Sequence, residues 1–188
     1  MAYRVSARIS KTLVGIALMW AVVAAGSWSP VRAATTEVGT TTVSFTIAEV
    51  FEVLAWPSST YSLGEAGTPG VTVVSEELTF TVRSNASWGV EIRSDTGTGE
   101  LREFDIAIGA YVDGGRSVGP VEWATSVSGP WHPLSSTPAV MYSMQPPTGA
   151  AGRTVGFVLR VTPTFDDEPL PEGREYRMVL TYTAGVGF

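Results

Sequence analysis

Leu78-Thr79-Phe80-Thr81-Val82-Arg83-Ser84-Asn85-Ala86-Ser87-Trp88-Gly89-Val90-Glu91-Ile92-Arg93 is the stretch that decides the fold class. Leu78, Phe80 and Val82 alternate with Thr79, Thr81 and Arg83; beyond four small residues, Trp88, Val90 and Ile92 alternate with Gly89, Glu91 and Arg93. A period of two sends successive side chains to opposite faces, so each run reads as a strand with one apolar and one wet face. Ser84-Asn85-Ala86-Ser87 is short and turn-rich, which reads as a hairpin connection. The same alternation recurs at Val43, Phe45 and Ile47, extended in parity by Phe51 and Val53, and at Phe104, Ile106 and Ile108. It returns at Val155, Phe157, Leu159 and Val161, and at Tyr176, Met178, Leu180 and Tyr182. Asp95-Thr96-Gly97-Thr98-Gly99, Asp113-Gly114-Gly115 and Ser128-Gly129-Pro130 punctuate these runs as turns, and two Pro/Gly-rich loops cover 145–153 and 163–175. No stretch after residue 33 carries a helical stripe. The expectation is an all-β chain, with roughly eight to ten strands forming an antiparallel two-sheet β-sandwich of immunoglobulin-like or jelly-roll-like type.

The N-terminus reads differently. Arg4, Arg8 and Lys11 precede an unbroken small or apolar run from Leu13 to Ala25, and Ser29-Pro30-Val31-Arg32-Ala33-Ala34 follows. A basic region, an apolar core and small residues at Val31 and Ala33 are the parts of a helical secretory signal peptide over 1–33. Cleavage is expected after Ala33, with Ala34 the next choice, leaving 34–188 as a single domain outside the cell or on its surface. All 18 acidic residues lie in that part, with eight arginines and no lysine, for a net charge of about −10. Such a surface repels nucleic acid and anionic lipid, so neither nucleic acid nor, once the signal is removed, a membrane is an expected partner. The chain has no cysteine, which excludes a disulfide scaffold, a thiol enzyme and acylation of an N-terminal cysteine.

No motif for a cofactor, a metal or a catalytic group is present, and the chain is read as non-enzymatic. His132, the single histidine, stands in Trp131-His132-Pro133, a loop or sheet-edge context rather than a triad or ligand set. Asp166-Asp167-Glu168 lacks the alternating acidic spacing and central glycine of a calcium loop and reads as an acidic loop tip. Asn85-Ala86-Ser87 matches a glycosylation sequon, although its place between two strands accounts for it. Trp56, Trp88, Trp123 and Trp131 are the tryptophans of the mature part. Trp88 shares the parity of Val90 and Ile92 and belongs to the core. Trp123 and Trp131 are the candidates for stacking on sugar rings. A three-residue turn at Ser128-Gly129-Pro130 would place them on one face and a two-residue turn on opposite faces; the three-residue form is favoured, because Pro130 cannot donate to a ladder.

Three local patterns carry a resemblance: Tyr61-Ser62-Leu63-Gly64, then Val82-Arg83-Ser84-Asn85-Ala86-Ser87-Trp88-Gly89-Val90, then Gly173-Arg174-Glu175-Tyr176 with Leu180-Thr181-Tyr182-Thr183-Ala184. In this order they resemble the WxL-type surface domains of Gram-positive bacteria. The two Trp-x-Leu signatures are absent: Tyr182-Thr183-Ala184 stands at one, and Trp131-His132-Pro133-Leu134 has a different spacing. The resemblance implies a bacterial surface β-sandwich and non-covalent contact with a cell-wall polymer. Three readings of function follow from the sequence. The first is a cell-surface or envelope structural or adhesive protein that self-associates. The second is a module binding glycans through Trp123 or Trp131. The third is a small outer-membrane barrel, for which the alternating C-terminal residues Leu180, Tyr182, Ala184, Val186 and Phe188 speak.

Overall fold

A computed structural model describes residues 40–65 and 68–187. The signal peptide assigned to 1–33, with its cleavage residues Ala33 and Ala34, lies outside the described residues. A boundary between compact units falls between Ala48 and Glu49.

The unit from Glu49 onward is built from strands alone. They are β1 (Phe51–Ala55), β2 (Val73–Val74), β3 (Leu78–Ser84), β4 (Trp88–Ser94), β5 (Leu101–Asp105), β6 (Ala110–Tyr111) and β7 (Ser117–Val118). There follow β8 (Glu122–Ala124), β9 (His132–Pro133), β10 (Ala139–Gln145), β11 (Arg153–Val161), β12 (Arg174–Arg177) and β13 (Leu180–Val186). No helix occurs among the described residues. The largest sheet has the order β1-β3-β11-β8-β9, with β2 also on β11; the second is β10-β4-β13; the third is β12-β5-β6, with β7 also on β5. Every pairing is antiparallel. The described part of the chain is all-β and sandwich-like, as its alternation predicts, and none of these strand orders closes on itself.

The core forms where the apolar faces of the first two sheets meet. Phe80, Val82 and Phe157 come from the first, and Trp88, Val90 and Ile92 from the second; all six are buried. Phe80 meets Tyr142 of β10 edge to face at 6.1 Å, and Phe157 meets Tyr182 of β13 at 5.6 Å. Such aromatic contacts add to the area term that dominates sandwich stability.

Three local expectations are corrected. Ser84–Ser87 is not a hairpin turn: β3 pairs with β1 and β11, and β4 pairs with β10 and β13, so the segment arches from one sheet to the other. The reason is burial, since both strands carry large apolar residues that gain more by facing each other across the core than by lying side by side. The arch is held locally: Ser84 Oγ accepts from Ala86 N–H, and Asn85 exchanges two hydrogen bonds with Val50, through its side-chain oxygen and its own N–H. That contact accounts for Asn85 structurally. The run Phe104-Ile106-Ile108 is strand only to Asp105, whose carboxylate accepts from Ala107 and Ile108 N–H at 3.0 and 3.1 Å. This side-chain turn ends the strand and leaves Ile106 and Ile108 exposed. Finally, the alternating segment at Val43, Phe45 and Ile47 joins no strand; residues 40–50 have no regular secondary structure.

Candidate functional site

Three surface features could carry function, and the geometry separates them. The first is the aromatic cluster at the β8–β9 edge. Trp123 on β8 lies opposite His132 on β9, with ring centroids 4.9 Å apart. This register leaves residues 125–131 as the connection, longer than either turn expected at Ser128-Gly129-Pro130; the tight turn inside it is closed by Gly129 N–H on Ser126 O. Trp131 immediately precedes His132, so it projects to the opposite face from Trp123. Trp123 is only 4% exposed, and its buried Nε1 has no hydrogen-bond partner. Trp131 is half-buried beneath the Arg160 guanidinium, 4.3 Å from its ring, and Arg160 is itself held by Glu122 at 2.6 Å. The two indoles therefore do not form one platform. His132 is exposed on an edge strand, as its proline neighbour implies.

The second feature is a charge network under the loop 163–173. The Glu103 side chain is 6% exposed. Its Oε2 accepts from Arg116 N–H at 3.0 Å, and its Oε1 accepts from Arg174, which also lies 3.7 Å from Asp105. Arg116 in turn reaches Glu168 at 2.7 Å and Pro169 O at 2.9 Å. An open depression of about 610 Å³ lies over these groups. Of the acidic tip read from the sequence, Asp167 is taken up by Thr164 N–H and hydroxyl, and Glu168 by Arg116. Among the described residues no three acidic or histidine side chains are placed to hold a metal ion. The network satisfies itself and ties the loop to β5 and β12.

It has a pH consequence. The Arg116 N–H, and then the Arg174 guanidinium, hold the Glu103 carboxyl below its ordinary range, outweighing the opposing effect of burial. A carboxyl depressed on folding stabilises the native state above its unfolded pKa, and that contribution is lost as pH falls through the folded value. Wild-type stability is thus expected to drop as the pH falls below about 4.3, the ordinary value of this carboxyl. Glu103→Gln should flatten that drop, because it removes the titrating group. Urea midpoints across this range check it; parallel profiles for the two proteins would contradict it.

The third feature is the outer edge of β13. Gly187 N–H donates to Ser87 O, and Asp95 N–H donates to Val179 O. With the unbroken register from Leu180↔Ser94 to Val186↔Trp88, these bonds set the parity: Thr181, Thr183 and Gly185 turn their backbone groups toward β4. The N–H and C=O groups of Leu180, Tyr182, Ala184 and Val186 consequently point away from the sheet. The side chains of Leu180, Tyr182 and Ala184 pack half-buried against the core. Trp56, 47% exposed, stacks on Tyr182 with centroids 6.2 Å apart. The edge carries no charge, no proline and no bulge, three of the devices that blunt an open strand. Other edges are blunted: β1 carries Glu52 paired to Arg83 and a register break before Ala55, β10 breaks register twice, and β9 has two residues, one of them Pro133. The alternating sequence Leu180–Val186 was legible as a strand; that it is an unprotected edge depends on strand order, which has no local signal.

No family model, no curated protein and no solved structure matches this chain.

Proposed function

We propose that the chain is a secreted, non-enzymatic structural or adhesive protein of the cell surface or envelope, built as an immunoglobulin-like or jelly-roll-like sandwich, and that it self-associates. The observation that carries this reading is the uncharged, bulge-free, seven-residue edge of β13. Exposed backbone donors and acceptors in regular register are a template for pairing with another strand, and a monomeric protein would be expected to protect them. The signal-peptide pattern and the resemblance to WxL-type domains support a surface location. The chain has no cysteine to acylate and no lysine beyond Lys11 for a side-chain isopeptide link. The glycan-binding alternative is weakened by the burial of Trp123 and by the opposite facing of Trp131. The barrel alternative is weakened by the packed core and the open strand orders.

Sedimentation velocity of the chain beginning at Ala34, without detergent and over a concentration series, tests the reading. Mass that grows with concentration is expected. A strictly monomeric protein that binds a glycan array, and loses that binding in Trp131→Ala, would replace it with the carbohydrate reading.

A further inference from the structure

We infer that residues 41–47 of one copy add as an extra strand along the outer edge of β13 of a second copy. This rests on the self-association proposed above and names both halves of the contact. The donor half is Thr41-Thr42-Val43-Ser44-Phe45-Thr46-Ile47. It has everything local that a strand needs: β-branched and aromatic residues, strict alternation, no glycine, no proline and no charge. Yet it joins no sheet, and Val43, Phe45 and Ile47 stand 87%, 82% and 72% exposed. Three large apolar side chains in a row on one face of an exposed segment are costly in water and gain only by being covered.

The acceptor half is complementary in three respects. Its length matches, since seven residues of β13 and seven of the donor each span about 23 Å. Its chemistry matches, since the outward groups of Leu180, Tyr182, Ala184 and Val186 offer four donors and four acceptors to a chain with none engaged in a ladder. Its shape matches, since Leu180, Tyr182 and Ala184 are only half covered and Trp56 is nearly half exposed beside them. A strand laid on that edge with Val43, Phe45 and Ile47 inward would complete the apolar face. Its Thr and Ser residues would continue the wet face already set by Thr181 and Thr183. The second copy is the occupant because each copy supplies both a donor, the segment 41–47 that joins no sheet, and an acceptor, the outer edge of β13. Such contacts are heterologous and propagate.

Two variants of the chain beginning at Ala34 test this. Phe45→Asp disables the donor and leaves the edge intact. Ala184→Pro disables the acceptor by removing an outward N–H that β4 does not use, and leaves the donor intact. Each alone is expected to sediment as a monomer with the wild-type circular dichroism spectrum. An equimolar mixture is expected to form a one-to-one heterodimer and nothing larger, because a single junction remains. Should Ala184→Pro fail to fold, binding of a synthetic peptide of residues 40–48 to the Phe45→Asp protein takes its place, with the Phe45→Asp peptide as control. Wild-type protein that assembles while Phe45→Asp assembles equally would overturn strand addition and leave self-association standing. Wild-type protein that is monomeric at all concentrations would overturn both. A mixture of folded variants that stays monomeric, or a peptide that does not bind, would overturn the inference alone.

Discussion

Trp88→Ala is expected to lower the free energy of unfolding by about 3–5 kcal/mol, the range for emptying a fully buried indole site. Trp88 is completely buried at the start of β4, where the arch from β3 enters the second sheet. Its Nε1 donates to Pro146 O at 2.9 Å, and the same loop is fastened to the arch by Thr148, whose N–H reaches Ser84 O at 2.9 Å. Truncation would therefore open a cavity and release a carbonyl together, in the one place where both sheets and the 146–148 loop converge. Against the stability of an ordinary domain, about 5–15 kcal/mol, this removes much of the margin. Trp56→Ala is the matched comparison. That ring is 47% exposed and stacks on Tyr182 at the sheet edge, so its loss should cost about 1 kcal/mol. Urea titrations measure both; a Trp88→Ala midpoint as close to wild type as that of Trp56→Ala would contradict the placement of the core.

Gly99→Ala is expected to cost about 3 kcal/mol or more, far beyond its single added methyl group. Gly99 has a φ of +71°, and a Cβ there would lie 2.2 Å from the backbone oxygen of Leu134 and 2.8 Å from its carbonyl carbon. Neither atom can rotate aside. Gly99 O accepts from Val121 N–H at 2.8 Å, and Val121 O accepts from Leu134 N–H at 2.9 Å, so three backbone segments are clasped at this corner. Gly114, at φ +65°, has open space around it. Gly114→Ala should therefore show only the conformational penalty, about 1 kcal/mol. Thermal unfolding of the two variants separates steric overlap from backbone strain; equal losses would contradict the close approach.

What could be read from the sequence and what could not divide along the line between local and non-local physics. The alternation at Leu78–Val82, Trp88–Ile92 and Val155–Val161 announced β3, β4 and β11, because side-chain parity is a property of the strand itself; the run from Tyr176 to Tyr182 instead divides at Met178 and Val179 between β12 and β13, which pair in different sheets. Pairing is not. The four residues 84–87 suit a hairpin or an arch equally well, and only the burial of Phe80, Val82, Trp88 and Val90 on both flanks makes them an arch. The same limit explains the segment at Val43–Ile47, which is strand-like in every residue and yet has no place in a sheet of the described chain. Ile106 and Ile108 kept the right parity but lost to a local competitor, the Asp105 carboxylate that folds the next two residues into a turn. For Trp123 and Trp131, the relative facing hung on the length of one turn. The observed connection of 125–131 is longer than either form the residues Ser128-Gly129-Pro130 suggested.

β13 is an open edge in the single molecule, and the proposed strand addition would cover it. Residue-resolved amide hydrogen exchange on the chain beginning at Ala34 tests it most directly, comparing wild-type assembly with Phe45→Asp monomer. In the monomer the amides of Thr181, Thr183 and Gly185, which turn toward β4, should be protected, while those of Leu180, Tyr182, Ala184 and Val186 exchange freely. In the assembly the second set should become protected as well. Protection of all seven in the monomer, or free exchange of the outward four in the assembly, would contradict the account.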